Sequence, residues 1–272
     1  MMRSLWTAAS GMKAQQTSLD TIANNLANIN TTGYKQERTE FQSLLYQTIQ
    51  GRTTDHEGNP KPIPGQVGLG VKVSAVSTEF EQGKITPSTG AFDFAIQGDG
   101  FFMVRMPDGT TGYTRNGNFL MAINSSGGVT LTTSDGYAVL SSDGNEISFD
   151  ANTDTMKLSF DDHGRIFYKN AEGTVQNTGI RIGAAQFNNP AGLLKIGNSY
   201  FAESPSSGVV RIETQDAALK ESVIKHKYLE SSSVQAVDEM VDMIVTQRAY
   251  EMNSKAITAS DEMLQQANNL RS

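Results

Sequence analysis

The protein has no cysteine among its 272 residues, so neither disulfide bonds nor thiolate chemistry is available to it. It also has no run of 18 apolar residues, which predicts that no transmembrane helix is present. Lys and Arg number 22 against 29 Asp and Glu, giving a net charge of −7. A nucleic-acid-binding surface and a surface that binds anionic lipids are both basic. We therefore expect no nucleic-acid partner and no direct membrane insertion.

Residue patterns that support catalysis or metal binding are scarce. The three histidines lie far apart, and the one tight cluster with acidic residues, Asp161 to His163, precedes a glycine and is typical of a hairpin turn. Gly98-Asp99-Gly100 leads into a strand-like segment instead of a helix, which argues against a phosphate loop. The remaining acidic cluster is typical of surface turns: Asp143, Glu146, Asp150 and Asp154. We expect no enzyme, no metal and no cofactor.

The N-terminus carries a basic residue, Arg3, but polar residues interrupt the segment that follows it. A secretory signal peptide needs a continuous apolar region after its basic start. The sequence therefore predicts that no cleavable signal peptide is present.

The two ends of the chain carry helical patterns. In the first 35 residues, apolar side chains alternate steps of three and four, interrupted only at Gln15, as in a coiled-coil seam: Leu5, Ala8, Met12, Leu19, Ile22, Leu26 and Ile29. The segment Val234 to Leu270 lacks Gly and Pro and has a matching pattern that shifts after Ile244: Val237, Val241, Ile244, Ala249, Met252, Ala256, Ala259 and Met263. Ser232 with Gln235 suggests a capping box at its start.

The segments between the helices have different compositions. Phe41, Leu44, Leu45 and Ile49 suggest a short amphipathic helix, and residues 51–70, with three prolines, suggest an extended arm. From Val71 the apolar period becomes two, with Asp-Gly and Asn-Gly pairs between strand-like runs such as Phe101 to Arg105. An interpretation as amphipathic helices packed on a sheet remains open for the two ends.

The sequence predicts an α+β fold in which long N- and C-terminal helices pair as a coiled coil and flank a central, mostly antiparallel β domain. The predicted segments are residues 1–35, the N-terminal helix; 36–70, the arm; 71–230, the β domain; and 231–272, the C-terminal helix. Neither helical seam can bury its apolar side chains alone, so each needs a partner helix.

Three motifs resemble the bacterial flagellar rod and hook axial proteins. They are ANNLANINTTGYK at Ala23 to Lys35, FAIQGDGFFMV at Phe94 to Val104, and MIVTQRAYEMNSKA at Met243 to Ala256. The residues carried over from this family signature are Asn24, Asn25, Asn28, Gly33, Tyr34, Gly98, Gly100, Phe101, Gln247, Arg248, Tyr250 and Asn253. His226-Lys227, where relatives usually have Gln-Gly, departs from the pattern.

The resemblance is greatest to the members that build the distal rod, because Tyr46 to Pro64 matches an arm that hook proteins lack. It implies a hollow, rigid helical tube of identical subunits, with the two helices as its inner layer and the seam residues at subunit interfaces. The implied partners are other copies of the chain, proximal rod proteins, the hook protein, the surrounding ring proteins and the flagellar export apparatus. The implied location is the basal body, reached by type III export and periplasmic where two membranes exist.

Two other functional classes remain open at this point. A secreted adhesin would use both helices as a closed stalk within one chain, and a hydrolase would place a concave cluster of carboxylates on the β domain. Within the family, other rod proteins and the hook protein are alternatives. The class of structural polymer subunit agrees best with the motifs.

Overall fold

The computed structural model of the protein describes residues 2–50, 65–124, 127–150, 153–169, 174–216 and 218–270. Its α-helices in these ranges are α1 (Met2–Ala27) and α2 (Ala236–Asn269), close to the two predicted helices. Two short 3-10 helices lie at Thr155–Lys157 and Pro190–Gly192. Helix α1 ends before Ile29, since Asn28 begins a turn in which its carbonyl and side-chain oxygens accept hydrogen bonds from Thr31. The capping box is wrong, because α2 begins after Gln235 without a side-chain cap.

The strands are short, and every pairing within the described residues is antiparallel. The first ten are β1 Glu37–Ser43, β2 Tyr46–Gln50, β3 Gly65–Gly68, β4 Val71–Thr78, β5 Ile85–Pro87, β6 Phe94–Gln97, β7 Phe101–Arg105, β8 Thr111–Thr114, β9 Phe119–Ile123 and β10 Val129–Thr133. The others are β11 Ser148–Phe149, β12 Leu158–Phe160, β13 Arg165–Lys169, β14 Val175–Arg181, β15 Ala184–Gln186, β16 Leu194–Gly197, β17 Tyr200–Ala202, β18 Arg211–Ile212, β19 Val223–His226 and β20 Tyr228–Glu230. The fold is α+β and mostly antiparallel.

The chain divides into two units. Unit 1 consists of Met1–Ala27, Glu37–Thr78 and Gln235–Ser272, and thus contains both helices and β1 to β4. Unit 2 consists of Asn28–Gln36 and Glu79–Val234 and contains the remaining strands. The division into four consecutive segments stays a prediction.

In unit 1, β1 pairs with β4 and β2 pairs with β3. The predicted amphipathic helix around Phe41 and Ile49 is therefore wrong, because both residues lie in strands. The segment has aromatic and β-branched side chains, which favour an extended backbone, and each strand finds an antiparallel partner on the far side of the arm. Residues 51–64, the proline-containing centre of the predicted arm, lie outside the described residues.

Unit 2 contains a six-stranded sheet with the order β16-β17-β8-β7-β15-β18. Strand β7, the predicted FFMVR strand, lies inside this sheet, and its successive side chains enter two different cores. Phe102 and Val104 pack in one core, while Phe101 and Met103 pack in the other. The sheet is thus covered on both faces at β7, which explains why the segment is almost uniformly apolar.

The Asp-Gly pairs at Gly109, Gly136 and Gly144 have positive φ angles, as predicted for turns. Asn116-Gly117 is different, because the strands on either side, β8 and β9, belong to different sheets. A Cβ on Gly117 would overlap the carbonyl oxygen of Phe94. This glycine permits a close backbone approach and does not close a hairpin.

Lys227 lies between β19 and β20 with a φ of 63°, the conformation that favours glycine. Its amide donates to the carbonyl of Asp93 at 2.7 Å, and its carbonyl accepts from Ser88 at 2.8 Å, so the backbone is held there while the side chain is exposed. We expect Lys227→Gly to stabilise the protein by about 0.5 kcal/mol, since the left-handed penalty of roughly 1–2 kcal/mol exceeds the entropy that glycine loses.

Urea unfolding of the variant and of Lys220→Gly checks this prediction. Lys220 is also exposed but does not have a positive φ angle, so the same substitution should lower its stability. Equal losses at both positions would contradict the assignment of strain to Lys227.

Candidate functional site

The two helices of unit 1 contact each other in antiparallel orientation. The hydroxyl oxygens of Ser4 and Ser260 lie 3.4 Å apart, and a Cβ on Gly11 would lie 2.9 Å from the amide nitrogen of Asn253. Moving from Ser4 to Gly11 along α1 thus corresponds to moving from Ser260 to Asn253 along α2. The absence of a side chain at Gly11 lets the helices approach closely at this level.

The face of α2 that is buried in this unit is polar. Its buried residues are Glu239, Thr246 and Ser260. On α1, the predicted seam residues Ala8 and Ile22 are buried, and the others within the helix are partly buried. Ile29 lies beyond the end of α1.

The predicted seam of α2 does not face α1. Val237, Val241, Ile244 and Met252 are 68%, 54%, 58% and 64% exposed. At 100° per residue they lie on the side of the helix opposite the buried residues. We call this surface the outer stripe; it consists of Val237, Met240, Val241, Ile244, Val245, Met252, Ala256, Ala259 and Met263. Ala249 lies outside it and is partly buried.

Asn25 connects three parts of unit 1. Its amide nitrogen donates to the carbonyl of Glu37 at 2.8 Å and to a carboxylate oxygen of Glu239 at 3.0 Å, and its side-chain oxygen accepts from the Glu37 amide at 2.9 Å. The side chains of both Asn25 and Glu239 are buried. One amide therefore joins α1, the start of β1 and α2, a role that only a side chain with both a donor and an acceptor can perform.

The other signature residues of the first motif shape the chain after α1. Asn28 closes the turn with Thr31, and Gly33 has a φ of 67° while its amide donates to the carbonyl of Glu230 at 2.8 Å. The backbone carbonyl of Tyr34 accepts a hydrogen bond from the amide of Ser233 at 3.1 Å. Asn24 is exposed on α1. These contacts pair the segment after α1 with the segment before α2, both within unit 2.

The second motif lies at the start of β7. Gly98 has a φ of 135°, and the amide of Gly100 donates to the hydroxyl of Ser222 at 3.1 Å. Phe101 is fully buried, and the guanidinium of Arg115 lies 5.0 Å from the centre of its ring. The motif therefore builds the core of unit 2, as a turn followed by a strand.

The third motif lies on α2. Gln247 and Arg248 are exposed, and Arg248 pairs with Glu251 at 2.8 Å. Tyr250 is also exposed, whereas Asn253 lies against Gly11. The assignment of these residues and of both seams to subunit interfaces stays a prediction.

Unit 2 contains a buried ion cluster that the sequence does not predict. The ammonium of Lys35 lies 2.6 Å from one carboxylate oxygen of Glu230, and the guanidinium of Arg115 lies 3.5 Å from the other. Lys35 also donates to the carbonyl of Glu81 at 2.6 Å, and the amide of Gly83 donates to Glu230 at 2.8 Å. All three charged side chains are at least 98% buried.

Burial lowers the pKa of the Lys35 ammonium and the pKa of the Arg115 guanidinium, and the nearby Glu230 carboxylate opposes the shift in both. Glu230 thus compensates two buried cations. Lys35 belongs to the first motif, but nothing in the spacing of residues 35, 115 and 230 indicates that they meet.

The expected turn and surface positions of the acidic residues agree with the structure. His163 lies 3.4 Å from Glu221 on the surface, and Asp154 pairs with Lys157 at 3.3 Å. Within the described residues, no group of three His, Asp or Glu side chains is arranged to hold a metal ion. Across the same residues, neither helix has a stretch that is apolar enough to cross a lipid bilayer.

Three family models match the chain in order. They are "Flagella basal body rod protein" at residues 5–35, "Flagellar hook protein FlgE/F/G D1 domain" at residues 95–168, and "Flagellar basal body rod FlgEFG protein C-terminal" at residues 225–270. The first model covers most of α1, the third covers all of α2, and the second contains β7 and β8 of the six-stranded sheet. The matches define a class, the axial proteins of the flagellar rod and hook.

Relatives that match this chain over nearly their full length identify its family within this class. The chain is 43% identical to the flagellar basal-body rod protein FlgG of Borreliella burgdorferi, covering 100% of this chain and 99% of the relative. It is 42% identical to that of Caulobacter vibrioides and 40% identical to that of Bacillus subtilis, with 100% of both chains covered in each case. The chain therefore belongs to the FlgG family of flagellar basal-body rod proteins. This family is structural and not enzymatic, and its members belong to the flagellar basal body.

Proposed function

We propose that the chain is a subunit of the flagellar distal rod and polymerises into a hollow, rigid helical tube. The tube transmits torque from the motor to the hook and gives passage to exported subunits. Helices α1 and α2 pair as a coiled coil in its inner layer. Its partners are further copies of the chain, the proximal rod proteins, the hook protein, the rings around the rod and the export apparatus. Where two membranes exist, the rod lies in the periplasm. The full-length relatives named as rod proteins support this proposal.

The observation that carries the polymer proposal is the outer stripe. A 34-residue helix exposes its apolar side chains and buries polar ones, which is the reverse of a helix that completes its packing within one chain. Contiguous exposed apolar surface of this kind is typical of a protein interface. A contact between this surface and a different surface of the next copy is heterologous, and such contacts propagate as helical filaments unless they close into a ring.

The arm adds a second apolar surface in unit 1. Leu45, Tyr46 and Ile49 are exposed at and around β2, and an isolated two-stranded ribbon is only marginally stable in water. Packing of this ribbon against neighbouring copies removes these side chains from water and stiffens the tube. This agrees with the resemblance of Tyr46 to Pro64 to an arm specific to the rod.

We expect the double variant Val241→Glu/Ile244→Glu to abolish rod assembly. Two carboxylates in the centre of the outer stripe would be desolvated on packing, at a cost of several kcal/mol each, while the free chain keeps them in water. The measurements are swimming in soft agar, electron microscopy of isolated basal bodies, and helical circular dichroism of the purified chain.

Asn268→Glu is the control, because Asn268 is exposed on the same helix but lies on the side away from the outer stripe. It should leave motility unchanged. Normal rods in the double variant would refute the assignment of the outer stripe to a subunit interface. Loss of helical signal in the purified double variant would mean that the stripe stabilises the monomer instead.

A further inference from the structure

Three methionines of α2 are unusually exposed. Met240, Met252 and Met263 are 48%, 64% and 49% exposed. By contrast, Met103 and Met106, which belong to the two cores of unit 2, are buried. Among the methionines whose side chains the structure describes, the three most exposed therefore all belong to the outer stripe.

Two of these methionines lie along one line of the helix surface. Met252 and Met263 are eleven residues apart in the sequence, which is about three helical turns, so their side chains leave the helix in nearly the same direction. Between them the outer stripe has only the small side chains of Ala256 and Ala259. The two thioethers therefore supply most of the apolar surface in this part of the stripe.

Methionine is also the only sulfur-containing residue of the chain, since cysteine is absent. A peroxide oxidises a thioether by two electrons: the sulfur lone pair attacks one oxygen of hydrogen peroxide, the O–O bond breaks, an S–O bond forms and the other oxygen leaves as water. The peroxide is reduced by the same two electrons. The product, methionine sulfoxide, is polar where the thioether was apolar, and this change disrupts interfaces that contain methionine.

We propose that Met240, Met252 and Met263 form an oxidation site for peroxides, and that their oxidation prevents a free chain from joining the rod. Packing of the outer stripe against another copy removes the thioethers from water, so an assembled subunit is protected. A sulfoxide formed before assembly would instead bring a polar oxygen into an apolar contact, which is unfavourable. Sulfoxide reductases restore the thioether, so the modification is reversible. The inference rests on the proposed function, because it requires a contact between copies at the outer stripe.

Mass spectrometry after treatment with hydrogen peroxide measures the oxidation rate of each methionine, with the chain unfolded in urea as the reference. In the purified free chain, the three exposed methionines should be oxidised about tenfold faster than Met103 and Met106, because reactivity follows exposure. In isolated basal bodies, oxidation of Met252 and Met263 should be about tenfold slower than in the free chain. Equal rates at exposed and buried methionines, or equal rates in the free chain and in rods that contain it, would overturn the inference.

The triple variant Met240→Leu/Met252→Leu/Met263→Leu separates this site from other oxidative damage. Leucine has nearly the volume of methionine but no sulfur. Cells that express the original chain or the variant are treated with hydrogen peroxide while new rods form, and rods are counted by electron microscopy. The peroxide concentration that halves their number should be about threefold higher for the variant. Equal sensitivity of the two strains would overturn the inference and leave the distal-rod proposal standing, whereas untreated rods that lack the original chain would overturn both.

A permanently polar variant provides an independent measurement. Met252→Gln/Met263→Gln should reduce the number of rods about tenfold without any oxidant, because each amide is desolvated on packing, and the purified variant should keep its helical circular dichroism. Asn268→Gln places the same side chain on the side of α2 away from the outer stripe and should leave the number of rods unchanged. Normal rods in the double variant would contradict the effect assigned to the sulfoxides. Loss of its helical signal would also contradict it, since the stripe would then stabilise the single chain.

Discussion

We expect Glu230→Ala to lower the free energy of unfolding of unit 2 by about 3–5 kcal/mol. The carboxylate lies between the buried cations of Lys35 and Arg115, and its removal leaves both charges in the interior without an anion. The amide of Gly83 loses its acceptor as well. Such a loss approaches the whole stability of a typical domain, so the variant should be partly unfolded at body temperature.

The measurement is urea unfolding followed by hydrogen exchange of the β7 and β8 amides, which report on the sheet of unit 2. Glu221→Ala is the matched control, because Glu221 also faces two basic side chains, Arg181 and His163, but is 44% exposed. An exposed ion pair contributes at most about 1 kcal/mol. Similar losses of unfolding free energy in both variants would show that the buried Glu230 carboxylate contributes no more to stability than the exposed Glu221 carboxylate.

The local features of the fold were predictable because they depend on neighbouring residues. A spacing of three and four identifies α1, the absence of Gly and Pro from Val234 to Leu270 identifies α2, and FFMVR is a buried strand. The short helix around Phe41 and Ile49 was wrong because its pattern is compatible with two structures. The segment forms strands instead of a helix because β1 pairs with β4 and β2 pairs with β3. These partners are distant in sequence.

The orientation of α2 shows a second limit of sequence reasoning. Its apolar residues were assigned to the face that contacts α1, since apolar side chains are normally buried. Within one chain the buried face instead carries Glu239, Thr246 and Ser260, and the apolar stripe is exposed. A sequence pattern shows that a face needs a partner but not whether that partner belongs to the same chain. The Lys35, Arg115 and Glu230 cluster was missed for a related reason, because three single residues far apart in sequence carry no periodic signal.

Asn25→Asp is expected to destabilise unit 1 by about 3 kcal/mol or more, the second large effect. The substitution removes the donor to the Glu37 carbonyl and places a carboxylate about 3 Å from that of Glu239, in a site where both side chains are buried. The loss of a donor leaves a buried acceptor with one hydrogen bond fewer, which costs roughly 1–3 kcal/mol. In addition, two buried carboxylates repel each other. Helical circular dichroism during urea unfolding measures this change, since α1 and α2 are the helices of the described chain.

Adding Glu239→Gln to Asn25→Asp separates repulsion from general disruption. The glutamine amide can donate to the new carboxylate, and the Glu37 amide still finds an acceptor at residue 25, so the double variant should recover about half of the lost stability; the donor to the Glu37 carbonyl remains absent. Gln16→Glu, the same exchange of an amide for a carboxylate at an exposed position of α1, should change stability by no more than about 0.5 kcal/mol. If Glu239→Gln recovers nothing, the two side chains do not interact as the hydrogen bond between them requires, and Asn25 acts through β1 alone. Recovery would establish that the polar face of α2 is what holds it against α1, which leaves the outer stripe free for a neighbouring copy.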